Sequence, residues 1–436
     1  MSVTDRFYMS REYEEKSQEA LNLALDTVPF YRSWQAFDPG REYPSELRYA
    51  AMPELTKADI RLRFPNGLVS GGRDVARAVA ADEIEYTFTS GTTGEKVANL
   101  WNQNWWHAGE LASWKLSRYM LGFVYPQRQA TLTSALNCGI HYEEDLPMDH
   151  RIMGNVLYLN EKINVLSIGE RHLKRMAEEL EVFRPVILEA NPSLLARLAY
   201  WAIDHDKALY APAVIVLTYE LPSRLHLDAI RSVFSSPVVS SYGTTETGFV
   251  LMSCEDGMMH QNTRFCHIDY VPLPEEAGGP ELGRILVTNF NNPWSVMVRF
   301  DVGDLVRIAP SGTCSCGRGE GMLFTSVEGR AANTTFTVTG KPVTTAAVDA
   351  ALAAVPELRD YRLTQRSRTE YELLIVSTDP SQRIIRECRQ ILGEVYGSGA
   401  FELRMLPELL PGPSGKYRRT AAGFAFDERT LQICNS

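Results

Sequence analysis

Between residues 167 and 241, strand-like apolar runs alternate with amphipathic helical patterns. This alternation limits the possible folds more than any other feature of the chain. Ser167 and Glu170 are spaced as a capping box, and Leu173, Met176, Leu180 and Phe183 then recur along one helical face. A short apolar run at 185–189 predicts a strand. Pro192 and Ser193 open a second helix, with Leu194, Leu195, Leu198 and Trp201 on one side. Residues 213–217 predict the next strand, Ser223 caps a helix through Phe234, and 237–241 predict a further strand. Strands and helices alternating over short connections predict an α/β fold with a parallel, doubly wound sheet. Ligands of such sheets sit beyond the carboxyl ends of the strands. Two of those ends, Thr218-Tyr-Glu220 and Ser241-Tyr-Gly-Thr-Thr-Glu246, are polar and aromatic, which predicts a site there.

The flanks extend this picture. A length of 436 residues implies two or three domains. Residues 5–35 read as helical, and 36–54, rich in Pro, Gly and charge, read as a surface connection. Antiparallel strands are expected at 283–288, 296–300 and 305–308. Beyond Arg330, strands at 334–339, 371–377 and 401–406 alternate with helices at 345–354 and 380–395, as in a small α+β domain of about 100 residues.

Charge and cysteine usage narrow the functional classes. A net charge of −10 argues against a nucleic-acid or anionic-membrane partner. No apolar run approaches the roughly 20 residues needed to span a bilayer. The first residues lack the apolar core of a signal peptide, so a cytoplasmic location is expected. Seven cysteines, an odd number without a regular framework, fit a reducing compartment.

Residues 86–96 read Tyr86-Thr-Phe-Thr-Ser-Gly-Thr-Thr-Gly-Glu-Lys96. Hydroxyls and backbone N–H groups bind phosphate oxygens, glycine permits close approach, and the lysine adds a mobile positive charge. The spacing is not that of a Walker A loop. The string resembles the phosphate loop of the adenylate-forming enzymes, the group of acyl-CoA synthetases, adenylation domains and luciferases. That resemblance makes Ser90, Gly91, Thr92, Thr93, Gly94 and Lys96 phosphate-binding candidates.

Four more stretches resemble motifs of the same family, in its order. Ser241-Tyr-Gly-Thr-Thr-Glu-Thr-Gly248 is similar to Y-G-x-T-E, which implies adenine packing for Tyr242, an α-phosphate contact for Thr245 and Mg²⁺ for Glu246, with Gly243 and Thr244 beside the nucleotide. Val298-Arg-Phe-Asp-Val-Gly-Asp-Leu305 is similar to R-Y-x-x-G-D. A carboxylate has two oxygens and suits a vicinal diol, so Asp304 is the ribose candidate, and Asp301 is read as structural. Gly329-Arg330 falls where the family places its interdomain hinge. Pro413-Ser-Gly-Lys-Tyr417 resembles the C-terminal P-x-x-G-K loop, which makes Lys416 the catalytic lysine candidate. The likeness is strongest to the phenylacetate–coenzyme A ligase branch, through Val28-Pro-Phe-Tyr31 and Leu55-Thr-Lys-Ala-Asp-Ile60 as well as the short length.

A metal site is a further candidate. Cys254 and His260 are spaced C-x5-H, and Cys314 and Cys316 form C-x-C. Three thiolates and one imidazole make a closed tetrahedral set for structural Zn²⁺. Spacing alone leaves a tight turn as the alternative, and the resemblance favours zinc. Cys266 and His267 lie close enough in sequence to substitute for a ligand. The resemblance places the acyl pocket near Asn137, His141 and Tyr142, while Glu143, Glu144 and Asp145 read as a charged surface loop. Trp101, Trp105 and Trp106 read mainly as core.

Two departures stand out. The branch reads G-R-x-D-D at the hinge, and this chain reads Gly329-Arg-Ala-Ala-Asn333. The branch reads G-A-E-P before the adenine motif, and here Thr218-Tyr-Glu-Leu221 stands there. Tyr219 and Glu220 therefore join the cofactor candidates with Arg330, and Tyr219 also faces the substrate pocket. The resemblance implies a large N-terminal domain, 1–329, with doubly wound mixed sheets and a β-barrel-like part, and a small α+β lid, 330–436. It implies ATP- and Mg²⁺-dependent adenylation of a carboxylic acid, aromatic or arylacetic, followed by transfer to coenzyme A. A carrier protein or an amine is the alternative acceptor, a nucleotide-binding pseudoenzyme is the rival class, and a homodimer is the assembly to test.

Overall fold

The computed structural model describes residues 5–88, 97–123, 127–133, 145–161, 163, 165–412 and 416–434. The chain divides into two compact units: Met1–Gly122, Ser241–Leu273 and Gly279–Ser326 form the first, and Phe123–Ser240, Pro274–Gly278 and Val327–Ser436 the second. Among the described residues no helix is long and apolar enough to cross a membrane.

The second unit contains the predicted parallel strands. β1 (Gln129–Leu132), β2 (Val156–Tyr158), β3 (Ile187–Ala190), β4 (Val214–Leu217) and the start of β5 (Val238–Thr244) pair in the order β2-β1-β3-β4-β5, all parallel. Helices α1 (Glu170–Phe183), α2 (Pro192–Asp204) and α3 (Arg224–Val233) connect the last strands. Ala130, Leu132, Leu157, Leu188 and Ala190 turn one face of this sheet into a core with Met176, Leu180, Leu195 and Leu198 from the helices. Burying such side chains stabilises by about 1.5–3 kcal/mol each.

Helix boundaries depend on caps that differ in part from the expectation. The Asn191 side chain accepts from Leu194 N–H at 3.1 Å, and Pro192 needs no donor there. The cap of α1 is Gly169, not Ser167: the Gly169 N–H donates to His172 Nδ1 at 3.1 Å. Ser223 sits at the N-cap of α3, but its hydroxyl donates to Asp349 Oδ1 at 2.7 Å while Arg224 N–H donates to Asp349 Oδ2 at 2.6 Å. A carboxylate from the far end of the chain thus caps this helix.

The first unit is antiparallel. β6 (Gly248–Ser253) pairs with the end of β5, and β7 (Met259–Gln261) with β6. β8 (Cys266–Pro272), β9 (Leu282–Asn289) and β10 (Phe300–Ile308) follow as a meander. No separate strand forms at 296–300. There the Tyr31 hydroxyl donates to Val296 O at 2.9 Å and accepts from Val298 N–H at 3.0 Å, so side chains satisfy the backbone instead of a ladder. The expected helix at 5–35 is Arg11–Thr27, followed by a 3-10 helix Pro29–Phe37 that begins at the proline. The stretch read as a surface connection contains a helix, Ser45–Ala51, that buries Arg48 and Tyr49 completely. Arg48 is held there by Asp38 at 2.7 Å, which pairs the buried charge.

The C-terminal part of the second unit is α+β. β11 (Leu323–Arg330) leads into it. β12 (Leu358–Gln365), β13 (Glu370–Ser377), β14 (Ala400–Met405) and β15 (Thr420–Ala422) form a sheet ordered β14-β13-β12-β15. Helices α4 (Thr345–Leu352) and α5 (Gln382–Tyr396) pack on it. Leu225 of α3 belongs to the same apolar cluster. The Arg359 guanidinium also pairs with Asp204, and the Tyr200 hydroxyl donates to Arg359 O at 3.0 Å.

Candidate functional site

In the first unit, β5 ends in Tyr242, Gly243 and Thr244, and Thr245–Thr247 turn the chain into β6. A Cβ on Gly243 would lie 2.2 Å from Gly248 O, so this turn closes only around a glycine. The Thr244 and Thr247 hydroxyls lie 2.9 Å apart. Behind the turn stands a buried polar bracket. Asn99 Nδ2 donates to Thr245 O at 2.8 Å, Ser295 Oγ donates to Asn99 Oδ1 at 2.5 Å, and Asn289 Nδ2 donates to Ser295 O at 2.8 Å. The bracket fixes the backbone of Thr245 and Glu246, the latter only 4 % exposed.

Asp304 lies on β10, next to Gly303. Its Oδ2 accepts from the Tyr242 hydroxyl at 2.9 Å. The adenine and ribose candidates, 62 residues apart, therefore meet. Asp301 instead pairs with Arg284 at 2.7 Å and accepts from Gly303 N–H at 3.0 Å, a structural role.

In the second unit, Glu220 follows β4 and is bound on both oxygens. Ser193 Oγ donates to one, and Tyr417 N–H donates to the other at 3.2 Å. Lys416 precedes that amide and is half-buried. Arg419, 5 % exposed, donates to Ser193 Oγ at 3.0 Å, to His226 Nδ1 at 2.9 Å and to Leu221 O at 3.3 Å. Burial, with the Arg419 charge beside it, holds His226 well below the usual histidine range, so the neutral ring accepts that bond. Asp360 lies 3.9 Å from Arg419, and burial pushes its carboxyl up to about 6. Arg330 ends β11 half-buried. In the turn Ala331–Asn333 that follows, Thr420 Oγ1 donates to Asn333 O at 2.7 Å.

The four metal candidates converge in the first unit. Their ligand atoms all lie within 4.8 Å of one another. Cys254 Sγ is 3.7 Å from Cys314 Sγ, and Cys316 Sγ is 3.3 Å from His260 Nε2. A tetrahedron with Zn–S bonds near 2.3 Å has S–S edges of about 3.8 Å, so the donor set and its spacing fit zinc. Burial lowers His260 to about 4, leaving the neutral imidazole that binds metals. Cys266 and His267 stay outside the cluster. Cys266 Sγ donates to Asn262 O at 3.6 Å, and His267 stacks on Tyr49 with ring centroids 4.0 Å apart.

Ser90, Gly91, Thr92, Thr93, Gly94, Lys96, Asn137, His141 and Tyr142 lie outside the described residues, as do Glu143 and Glu144. Asp145 does not belong to a surface loop. Its carboxylate, 2 % exposed, lies 3.6 Å from Arg175 and 4.0 Å from Arg151, which also binds Glu179. Trp105 is core, donating from Nε1 to Phe290 O at 2.7 Å. Sequence reasoning gave no place in the site to Asn99, Ser193, Arg419 or Glu189, and read Ser193 only as part of a helix start. Only Glu189 carried a signal, a carboxylate within an apolar strand.

Solved structures share this architecture. The chain superimposes on 2-hydroxyisobutyryl-CoA ligase in the postadenylation state with R3-HIB-AMP at a TM-score of 0.69 and 16% identity, covering 96% of this chain and 93% of that one. The same ligase with 2-HIB-AMP and CoA in the thioesterification state gives 0.57 and 18%, covering 97% and 90%. The chain has the adenylate-forming fold. The anthranilate CoA ligase AuaEII in complex with anthranoyl-AMP shares it more distantly, at 0.54 and 14% over 77% of this chain and 65% of that one. No family model and no curated protein sequence matches the chain.

Proposed function

We propose that this chain is an ATP-dependent, AMP-forming acid–thiol ligase. A carboxylate oxygen attacks the α-phosphorus of ATP, the bond to the β-phosphate breaks, and pyrophosphate leaves. The thiol of coenzyme A then attacks the acyl carbon and AMP departs. The single observation that carries this reading is the bond from Tyr242 to Asp304, which joins two motif residues on an adenylate-forming fold.

In this reading Asp304 accepts the ribose hydroxyls and Tyr242 packs on adenine. Thr245 faces the α-phosphate, held by the Asn99 bracket. Glu246 is the candidate ligand of Mg²⁺, which supplies charge neutralisation when bound, and a carboxylate suits that hard cation. The Lys416 ammonium neutralises charge that builds up as the carboxylate attacks. Arg330 serves the hinge. The proposed domains are 1–329 and 330–436, the proposed acid is aromatic or arylacetic as in the phenylacetate–coenzyme A ligase branch, and the proposed location is cytoplasmic. Zn²⁺ in the Cys254, His260, Cys314 and Cys316 site would be structural, because all four positions come from protein. Ala332 and Asn333, in place of hinge aspartates, favour a second reading in which a carrier-protein thiol or an amine accepts the acyl group.

Pyrophosphate release tests the proposal, with ATP, Mg²⁺ and a panel of aryl and arylacetic acids, with and without coenzyme A. The expected result is acid-dependent release that rises with coenzyme A and falls at least roughly 100-fold in Lys416→Ala. Release indifferent to coenzyme A moves the acceptor to a carrier protein or an amine. Release equal in Lys416→Ala overturns the lysine assignment.

A further inference from the structure

Parallel sheets covered on both faces are built from continuous apolar runs. One face of this sheet departs from that rule. The strand registers place Tyr158 of β2 beside Thr131 of β1, Thr131 beside Glu189 of β3, and Glu189 beside Val216 of β4. Side chains alternate along a strand, so Gln129, two residues before Thr131, shares that face. Its Nε2 donates to Glu189 Oε2 at 3.1 Å. The opposite face, from Ala130 to Ala190, is the apolar core.

The polar row lies at the carboxyl ends of the strands, and Tyr219 leans onto it. Tyr219 has φ +76, a left-handed conformation that costs a bulky side chain of order 1–3 kcal/mol. In that conformation its hydroxyl donates to Glu189 Oε1 at 2.6 Å. Thr133, just past β1, is 1 % exposed, and its hydroxyl lies beside that of Tyr219. Burial raises the Glu189 carboxyl, with donation from Tyr219 and Gln129 opposing. No cation contributes to that balance among the described residues. A half-buried acceptor held by the neutral donors Tyr219 and Gln129 leaves room for a stronger donor from a ligand.

We propose that Glu189 and Tyr219 are the specificity determinants of the acyl pocket, selecting carboxylic acids whose tail carries a hydrogen-bond-donating amine or hydroxyl. Thr133 and Tyr158 line the same polar end. A purely hydrocarbon tail would set apolar surface against Glu189 and offer it no donor. A site built to bond a polar substituent rejects the analogue that lacks it. This inference rests on the ligase reading above, which supplies the acid.

The test uses matched arylacetic acids carrying para-amino, para-hydroxyl or para-methyl groups. Pyrophosphate release gives kcat/KM, and calorimetry gives direct binding of each acid in the presence of a non-hydrolysable ATP analogue. The expected result is a preference of roughly 10-fold or more for a donor-bearing acid over its methyl counterpart. In Glu189→Gln and Tyr219→Phe, both checked for native unfolding temperature, the ratio should fall toward one. The amino and hydroxyl arms show which donor is preferred. Equal kcat/KM and equal binding for donor and methyl acids in the wild type overturn the inference, as does a preference that survives Glu189→Gln. Preferential binding of donor acids with no pyrophosphate release sinks the ligase reading and leaves the pocket assignment standing.

Discussion

The Tyr242 hydroxyl donates a 2.9 Å hydrogen bond to Asp304 Oδ2, although Asp304 is only 7 % exposed. That bond fixes the orientation of the Asp304 carboxylate. That is how a ribose acceptor can be fixed before the nucleotide arrives. Hydrogen bonds to charged groups contribute about 1.5–3 kcal/mol. Asp304→Ala should therefore raise the KM for ATP roughly 10- to 100-fold. Tyr242→Phe, which keeps the ring, should raise it less. Steady-state ATP titration decides, and an unchanged KM in Asp304→Ala removes the ribose assignment.

The Asn99 bracket offers a test of turn geometry. Asn99 is 2 % exposed and supports Thr245 O. Asn99→Ala leaves Thr245 O and Ser295 Oγ without their partner, a loss of about 1–3 kcal/mol. Urea unfolding should register that loss. Pyrophosphate release should slow at saturating ATP, because the Thr245–Glu246 backbone is no longer fixed. A variant as stable and as active as wild type would show that the bracket is dispensable.

The thiolate and imidazole cluster predicts one zinc per chain in protein prepared without added metal. Cys254→Ser or Cys316→Ser should lose the metal and unfold at a lower temperature. Metal analysis and thermal unfolding check both points. A metal-free wild type sinks the site.

Asp360 gives a pH dependence of known sign. Its carboxyl is raised from an ordinary 3.8 to about 6 by burial, against the Arg419 charge. Between those values the folded state holds the proton more tightly than the unfolded chain. The stabilising contribution is full below pH 3.8 and lost as pH rises through 6, amounting to about 3 kcal/mol in all. His226 lies 3.7 Å from Asp360 and is held neutral, so the charges acting on Asp360 are Arg419 first, opposed by Glu220, with Arg362 beyond. Asp360→Asn should therefore gain stability relative to wild type as pH increases from 4.5 to 7.5. Denaturant unfolding at both values reads the difference, and a pH-independent difference contradicts the shift.

Much of the parallel sheet was legible because its strands are short and apolar and its helices amphipathic, so the two periods separate cleanly between 167 and 241. Tyr242 and Asp304 were legible as separate candidates through motifs alone, and only the structure brings them together. The helix Ser45–Ala51 was not, because its buried residues include Arg48, whose polarity reads as surface until Asp38 is placed beside it. β12 was missed because Arg359, Asp360, Arg362 and Thr364 interrupt its buried positions, and a bulge between Leu358 and Asp360 breaks the alternation. The Gly169 cap was hidden because its partner is a histidine ring, a rare stand-in for Glu or Gln. Glu189 was visible but unread. Its meaning depends on Tyr158, Thr131 and Tyr219, which only the sheet register brings together.

Asp349 caps the helix that begins at Arg224, yet it is made 126 residues after Ser223. At roughly 5–20 residues per second, a ribosome takes about 6–25 s to cover that interval. Throughout it, Leu225 lacks the apolar partners supplied by residues 343–396. The nascent chain therefore passes through a stage in which this helix can pack Ala229 and Ile230 on the parallel sheet but has neither its cap nor the cover over Leu225. That stage is where chaperone engagement and aggregation compete, and truncation before residue 349 would hold the chain in it.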